Sequence, residues 1–448
     1  MNWRKPIIIG LLKLTGSEIP KTLEFIKSIE YKNKEEIKAI QRERLKTLLL
    51  HAYRNVPYYN RVLSESGVVI DGKINLDNFS KIPILTKDII RKNFEELKSK
   101  DLNKRKWYFN TSGGSTGVPV KFIQDKEYLA KLMATKVYFP LVNGKNIGEK
   151  EIHLWGSERD ILKGSTGYKA KFYNWLINRV LLNSFLMSEE KMENYVKIWN
   201  DFKPVYVWAY VDSIYEFSKF IDRNNFNIWS PRSIIVTSGT LHKDVRGFVE
   251  DVFKTKVINQ YGSREVGDIA VECINQEGLH IFEYSQYLEV LNNDLEPVNI
   301  EEAGKIYVTN LDNYSMPLIR YDIGDMGIVS TKICSCGRGF SMLSEITGRV
   351  SDHFKRKDGT LVHGGYFRGL FYFKNWVNKF QIIQVDYNFI RIYIVLYGEK
   401  DENDLKDIEN KIKAVMGESC KVEFNFVNEI KPSDSGKFLF TRSLIYQK

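Results

Sequence analysis

The sequence predicts an α/β protein: a large N-terminal region of several subdomains, followed by a small α+β domain. Three observations predict it. A chain of 448 residues exceeds what one small core organises, so two or three domains are expected. Residues 233–262 read strand–helix–strand, the grammar of a parallel sheet with helices on its faces. After about residue 350 the pattern changes to strand, strand, helix, strand.

The elements follow in order. Arg4 and Lys5 precede a short apolar run, Ile7-Ile8-Ile9-Gly10-Leu11-Leu12, which Lys13 interrupts. No small-residue cleavage site follows closely, so a docked N-terminal helix is expected in place of a signal peptide. Residues 36–55 repeat apolar side chains at helical spacing through Ile37, Ile40, Leu45, Leu48, Leu49 and Ala52, and Pro57 closes the segment. Ser233-Ile234-Ile235-Val236-Thr237 is a buried-strand run. Val245, Phe248, Val249, Val252 and Phe253 then recur at helical spacing, and Lys256-Val257-Ile258-Asn259 is the next strand. In such a unit, active residues gather at the carboxyl ends of strands. Residues 380–386 and 388–397 are β-rich. A helix with Leu405, Ile408, Ile412 and Val415 on one face comes next, then a strand at 421–427. The domain boundary is placed at Arg349, giving 1–348 and 349–448.

Composition narrows the function classes. The net charge of +10 suits an anionic ligand. The cations are interleaved with acids, as in residues 32–46, which is the pattern of solvated helix faces and argues against nucleic acid as a partner. Nothing approaches the length of a membrane span, although residues 4–14 are suited to resting on a membrane surface. Four cysteines in this length are no disulfide scaffold and fit a reducing cytoplasm.

The most informative stretch is Asn110-Thr111-Ser112-Gly113-Gly114-Ser115-Thr116-Gly117-Val118-Pro119. Glycines let successive N–H groups approach one anion, and the hydroxyls add donors. It is no Walker A loop, because Gly117 is followed by Val118 and Pro119, and the G-x-G-x-x-G spacing is absent. Further along come Tyr261-Gly262-Ser263-Arg264-Glu265, then Arg320-Tyr321-Asp322-Ile323-Gly324-Asp325. Gly348-Arg349-Val350-Ser351-Asp352 and Ser435-Gly436-Lys437 follow. An aromatic, a glycine and a carboxylate at a strand end suit a base and a metal ion, and the carboxylate of Asp325 suits the two hydroxyls of a ribose.

In this order and spacing the blocks resemble the adenylate-forming (ANL-type) superfamily, and within it the phenylacetate–CoA ligase-like proteins, including the capsule-synthesis branch called CapK. Residues His51–Tyr59 and Leu154–Asp160 carry the same likeness, which spans nearly the whole chain. The resemblance implies that Thr111, Ser112, Gly113, Gly114, Ser115, Thr116 and Gly117 hold the ATP β- and γ-phosphates. Gly239 and Thr240, with Asn259, Gln260, Tyr261 and Gly262, would enclose the adenine. Glu265 would ligate Mg²⁺, and Asp325 and Arg349 would bind the ribose. Lys437 would reach the α-phosphate and carboxylate from a mobile small domain, with Glu265 and Thr116 completing the catalytic set. A lysine and Mg²⁺ at the transferring phosphoryl group stabilise the charge that spreads over it.

Three positions depart from the family pattern. Val120, then Lys121, stands where many relatives have a lysine directly after the loop proline. Ser351, then Asp352, stands where many have an aspartate. The usual acceptor-binding glycine loop is rewritten as Lys357-Asp358-Gly359-Thr360, with Gly364-Gly365 after it. The implied partners are a carboxylic acid and an acyl acceptor, either CoA or, as the capsule branch suggests, an amine. Peripheral membrane association and a homodimer are further expectations. Trp155, Gly156, Trp208 and Tyr210 are the candidate acyl-pocket residues, although core packing would also account for such aromatics. Separately, Cys334-Ser335-Cys336 on a tight turn, with Cys273 and His280 around Gly278 at a hairpin, match a closed structural zinc site. Three buried, inert cysteines are the alternative.

Overall fold

The structure, a computed structural model, describes residues 2–112, 120–155, 168–184, 187, 189–349, 353–358, 361–363, 366–367, 370–371, 374–431 and 440–445. The chain forms two compact units: one from the described residues up to Ile346, the other from Thr347 onward.

The first unit opens with α1 (Arg4–Leu14), α2 (Ile19–Ile29) and α3 (Lys34–Asn55). Asn33 starts α3 through a capping box. Its side chain accepts from the N–H of Glu36, and the Glu36 carboxylate accepts from the N–H of Asn33. The predicted stripe is buried at Ile37, Leu45, Leu48, Leu49 and Ala52. Pro57 does more than end this helix. It occupies the first turn of α4 (Pro57–Glu65), where its missing N–H costs nothing.

Next come a hairpin of β1 (Trp107–Thr111) and β2 (Lys121–Asp125), helix α5 (Lys126–Val142), and β3 (Glu151–Trp155). Then follow α6 (Tyr168–Leu176), β4 (Arg179–Asn183), α7 (Glu189–Phe202), β5 (Tyr206–Tyr210), α8 (Val211–Arg223), β6 (Ser233–Thr237), α9 (Lys243–Phe253) and β7 (Lys256–Ser263). Strands β8 (Gly267–Glu272), β9 (Leu279–Ile281), β10 (Gln286–Leu291), β11 (Ala303–Asn310), β12 (Tyr321–Ser330) and β13 (Met342–Arg349) complete the series. One sheet orders them β10-β11-β12-β13-β9-β8-β7-β6-β5-β3-β4.

The segment β4-β3-β5-β6-β7 is parallel, as a strand–helix–strand grammar requires. Beyond β7 the pairing is antiparallel, β7 with β8, β8 with β9, β9 with β13, β10 with β11 and β11 with β12, so the sheet is mixed where the sequence suggested only a parallel one. In the parallel segment, β3 pairs on one side with the strand that follows it and on the other with the next. The carboxyl ends of β3 and β5 therefore flank a topological switch point, where ligands of doubly wound sheets bind.

The second unit has a sheet in the order β16-β15-β14-β17, from β14 (Val377–Asp386), β15 (Phe389–Leu396), β16 (Lys421–Phe426) and β17 (Thr441–Ser443). Helix α10 (Glu402–Met416) buries Leu405, Ile408, Ile412 and Met416. Met416 thus takes the place expected of Val415, which is only half-buried, because the i,i+4 step keeps the stripe turned inward.

Candidate functional site

The β1–β2 hairpin presents the glycine-rich loop. Residues 113–119, which include Gly113, Gly114, Ser115, Thr116 and Gly117, lie outside the described residues. The base of the loop is described. The N–H of Ser112 donates to the carbonyl of Val120 at 2.9 Å, and the Val120 N–H donates to Ser112 Oγ at 2.8 Å. Ser112 therefore clamps the two stems together, a role the sequence did not reveal. Thr111 is the last residue of β1.

Gln124 ties this hairpin to the Arg264-Glu265 turn. Its Nε2 donates to the carbonyl of Arg264 at 3.0 Å and that of Glu265 at 3.3 Å. Its Oε1 accepts from Asn110 Nδ2 at 3.0 Å and Tyr108 Oη at 3.3 Å. Glu265 is buried and accepts from the Tyr321 hydroxyl at 3.3 Å. Burial, then the Glu265 charge, raises the Tyr321 phenol far above its ordinary range, so it stays a donor. Tyr261 Oη donates to Asp325 Oδ2 at 2.9 Å. The loop base, Glu265, Tyr261 and Asp325, drawn from three separate stretches, thus share one neighbourhood.

Strand β7 runs further than its apolar core suggested. It pairs Gly262 with Asp268 and Ser263 with Gly267, so Tyr261 and Gly262 lie within a strand and not after one. Side chains alternate along it, so Asn259 and Tyr261 share one face and Gln260 points to the other. There Gln260 Nε2 donates to the buried Asp268 at 2.7 Å. A shared adenine enclosure by the side chains of all four residues is not what the strand provides. Gly262 is explained by packing, since a Cβ there would meet the Gly267 carbonyl at 2.7 Å. Gly239 follows Ser238, a residue at φ +67°, and a Cβ on it would lie 3.2 Å from Val211. Thr240 is half-exposed beside it.

At the switch point, the rings of Trp155 and Tyr210 are 4.1 Å apart, and Trp155 and Trp208 are 5.6 Å apart. Trp155 and Trp208 line a cavity of about 930 Å³ that reaches under α1 through Ile8 and Leu12. Gly156 lies outside the described residues, as does Lys437. Arg349 closes β13, and its side chain is likewise not described; nor are Val350-Ser351-Asp352, Gly359-Thr360 and Gly364-Gly365.

The cysteine–histidine set converges. Cys273 ends the β8 side of the hairpin, His280 lies on β9, and Cys334 and Cys336 lie between β12 and β13. Gly278 at φ +145° turns the hairpin where a Cβ would strike the Leu343 carbonyl at 2.9 Å, and Gly337 at φ +78° turns the second loop. Cys273 Sγ and Cys334 Sγ are 3.5 Å apart, as are Cys336 Sγ and His280 Nε2, and all four ligand atoms lie within 4.8 Å of one another. Tetrahedral bonds of about 2.3 Å to sulfur and 2.0 Å to nitrogen place such ligand atoms roughly 3.5–3.8 Å apart, so the set fits zinc with a small contraction of its wider pairs. Burial, then the Arg338 charge, pushes His280 down to about 4, keeping its imidazole neutral as a ligand requires. Cys420, in the second unit, is buried and is not one of these four.

Comparison with known proteins agrees with the sequence resemblance. The CapK C-terminal domain family matches residues 354–443. Over 409 residues the chain is 26% identical to Protein CapK of Staphylococcus aureus, covering 90% of this chain and 88% of that one. It is 26% identical over 332 residues to a phenylacetate-coenzyme A ligase of Thermus thermophilus, covering 71% and 72%. In fold it matches a 2-hydroxyisobutyryl-CoA ligase in the postadenylation state with a TM-score of 0.73 at 16% identity, over 92% of this chain and 91% of the other. The likeness to the phenylacetate–CoA ligase-like and CapK proteins of the adenylate-forming superfamily holds, and so does the predicted α/β fold with a C-terminal α+β domain.

Proposed function

We propose that this protein is an ATP-dependent, AMP-forming acyl ligase, which activates a carboxylic acid as acyl-AMP and passes the acyl group to an acceptor. The observation that carries the reading is the joining of the glycine-loop hairpin, Glu265 and the Tyr261–Asp325 pair through Gln124 and Tyr321. Those are the parts that a nucleotide needs at its phosphates, its metal and its sugar. A carboxylate oxygen attacks the α-phosphorus, the bond to the bridging oxygen breaks, and pyrophosphate leaves. Thr111–Gly117 are assigned to the β- and γ-phosphates. Glu265 would hold Mg²⁺, which supplies charge neutralisation at the phosphates. Tyr261 orients the carboxylate of Asp325 towards the ribose, Asn259, Gly239 and Thr240 border the base, and Arg349 is assigned to the ribose. Lys437 is assigned to the charge that develops at the α-phosphate.

Trp155, Trp208 and Tyr210 at the switch point are assigned to the acid. For the acceptor an amine is favoured over CoA, because the glycine loop after the boundary is rewritten. In the part described, Arg356 is engaged with Asp358 at 3.3 Å and with the Val415 carbonyl at 3.4 Å. Zinc held by Cys273, His280, Cys334 and Cys336 would cross-link the β8–β9 hairpin to the loop before β13, with no position left open for substrate.

The test is exchange of labelled pyrophosphate into ATP across a panel of carboxylic acids. Exchange stimulated by one class of acid is expected, and none with any acid would refute the reading. With a competent acid, faster thioester formation with CoA than transfer to amino-sugar nucleotides would refute the amine preference.

A second reading, of location, rests on α1 and α6. Trp3 at the start of α1, Ile7, Leu11 and Leu14 on it, and Phe172 and Trp175 of α6 stand exposed, with the Trp3 and Trp175 rings 6.0 Å apart and Arg4 over the Trp3 ring at 4.5 Å. No residue of α1 is buried, although six of its eleven residues are isoleucine or leucine. Exposed aromatics and aliphatics rimmed by Arg4, Lys5 and Lys13 suit an anionic membrane surface. Among the described residues no helix is long and apolar enough to cross a membrane.

A further inference from the structure

The floor of the cavity is ordered in a way the acyl-ligase reading alone does not explain. On β3, residues Glu151, His153 and Trp155 alternate with Ile152 and Leu154, so all three face the same side. The flanking parallel strands are in register with them. Arg179 and Tyr206 lie opposite Glu151, and Leu181 and Trp208 lie opposite His153. Asn183 lies opposite Trp155, which also contacts the Tyr210 ring. The floor therefore has a charged row, a mixed row and an aromatic row. The aromatic row sits at the carboxyl ends of the strands, where the nucleotide-site residues gather. The charged row sits four residues away along β3, at about 3.3 Å per residue, or roughly 13 Å.

The charged row is largely buried, and its two basic side chains share a single carboxylate. Glu151 Oε2 pairs with Lys145, and Glu151 Oε1 pairs with Arg179 Nε at 2.5 Å. Two cations thus share one carboxylate, and all three residues line the cavity. His153 Nε2 is 3.4 Å from Glu151 Oε1, but burial, followed by the charge of Arg179, holds this imidazole neutral. Three buried polar atoms beside the row have no hydrogen-bond partner: Tyr206 Oη, Trp208 Nε1 and His153 Nε2. Tyr206 is fully buried, and Trp208 and His153 are less than a tenth exposed. An orphaned donor in such a place costs about 1–3 kcal/mol, which a ligand oxygen would recover. Between the charged and aromatic rows Leu12 of α1, Val137 of α5 and Leu181 of β4 line the cavity, and Lys136 of α5 joins them, its Nζ 4.8 Å from the Trp208 ring and engaged by Asp268 at 3.2 Å. The remaining volume is near the upper end for a small-molecule site.

We infer that the acid activated by this protein carries a second anionic group at the far end of an apolar body, received by Arg179 and Lys145 with Tyr206 and Trp208 as donors. The inference rests on the acyl-ligase reading for the identity of the first carboxylate. The second group gives Lys145 and Arg179 a second anion to share, which favours the charged form of Lys145, and the body fills the middle of the cavity. A monoacid of the same length would leave Lys145 and Arg179 sharing one carboxylate and the donors without a partner, the situation in which a site built for a polar group rejects its apolar analogue.

The test uses the whole chain and pairs of α,ω-dicarboxylic and monocarboxylic acids of matched length. Binding is measured by titration calorimetry without ATP, and turnover by pyrophosphate exchange. The expected result is a length optimum at which the diacid binds at least about tenfold more tightly than its monoacid, a difference of about 1.4 kcal/mol. In Arg179→Gln and Lys145→Met the preference should shrink to about twofold or less, through loss of diacid affinity. Equal or tighter binding of monoacids to the parent protein would overturn the inference, whether or not either variant folds. Survival of the full preference in both variants would overturn it too. A diacid preference in calorimetry with no exchange from any acid would refute the acyl-ligase reading and leave the two-ended site standing.

Discussion

Gln124 is the residue whose loss should separate the parts of the proposed nucleotide site. It is 2% exposed and links β2 to both the β1 strand and the Arg264-Glu265 turn. Gln124→Met keeps the length and the apolar stem and removes both polar ends. Two of the four hydrogen bonds are at 3.0 Å and two at 3.3 Å. At about 1 kcal/mol for each short bond and roughly half that for each long one, the sum is about 3 kcal/mol. Carbonyls of Arg264 and Glu265 left dry would push the loss higher. In a unit of this size about 2 °C of apparent Tm accompanies each kcal/mol, so a fall of roughly 6 °C is expected. The functional effect should be larger than the thermal one implies. The glycine-loop hairpin and Glu265 would lose their mutual register, and a displacement of about 1 Å in a positioned site costs on the order of 10²-fold. Differential scanning fluorimetry and pyrophosphate exchange measure the two. An unchanged Tm together with exchange within twofold of the parent would show that Gln124 does not align the loop with Glu265.

The remaining predictions are more compact. Lys437→Ala should abolish acyl-AMP formation with no loss of Tm, and exchange at the parent rate would remove Lys437 from the chemistry. Purified protein should hold about one zinc per chain, lost together with several degrees of Tm in Cys334→Ser; metal analysis showing none, with every cysteine titrating as a free thiol, would refute this. Burial, then the Arg179 charge, pushes Lys145 down to about 7 from a usual 10.5. Between those values the unfolded chain binds more protons than the folded one, so the contribution of Lys145 to stability rises with pH across that window. The penalty is fully present below about pH 7, of order 5 kcal/mol at most. Lys145→Met should flatten this rise in denaturant titrations at pH 7 and 10, and an identical slope in parent and variant would contradict it. The full chain should float with anionic liposomes and release them in high salt, while Trp3→Ser with Leu11→Ser should not bind; flotation of that double variant at parent level would exclude α1 as the contact.

Much of this protein was legible in the sequence, because local chemistry leaves local marks. The strand–helix–strand unit at 233–262, helix α3 with its Ile37–Ala52 stripe, and the final ββαβ unit all follow from apolar spacing that a short window can see. The glycine loop, Tyr261–Glu265 and Asp325 were legible as types of residue suited to a nucleotide. The Cys273, His280, Cys334 and Cys336 set was legible as ligand chemistry. The sequence could not say which side chains meet. Gln260 and Tyr261 are neighbours in the chain but face opposite ways, because a strand alternates. Ser112 clamps Val120, and Gln124 joins the hairpin to Glu265, through hydrogen bonds spanning 8 and about 140 positions, which no local pattern encodes. The same holds for the charged row. Glu151, His153 and Trp155 do alternate in the sequence, but Arg179 and Tyr206 join Glu151 only through the register of two parallel neighbours. Composition and periodicity determine which elements form and which faces are buried. Sheet order and register, set when distant strands pair, decide which charges and donors share a cavity.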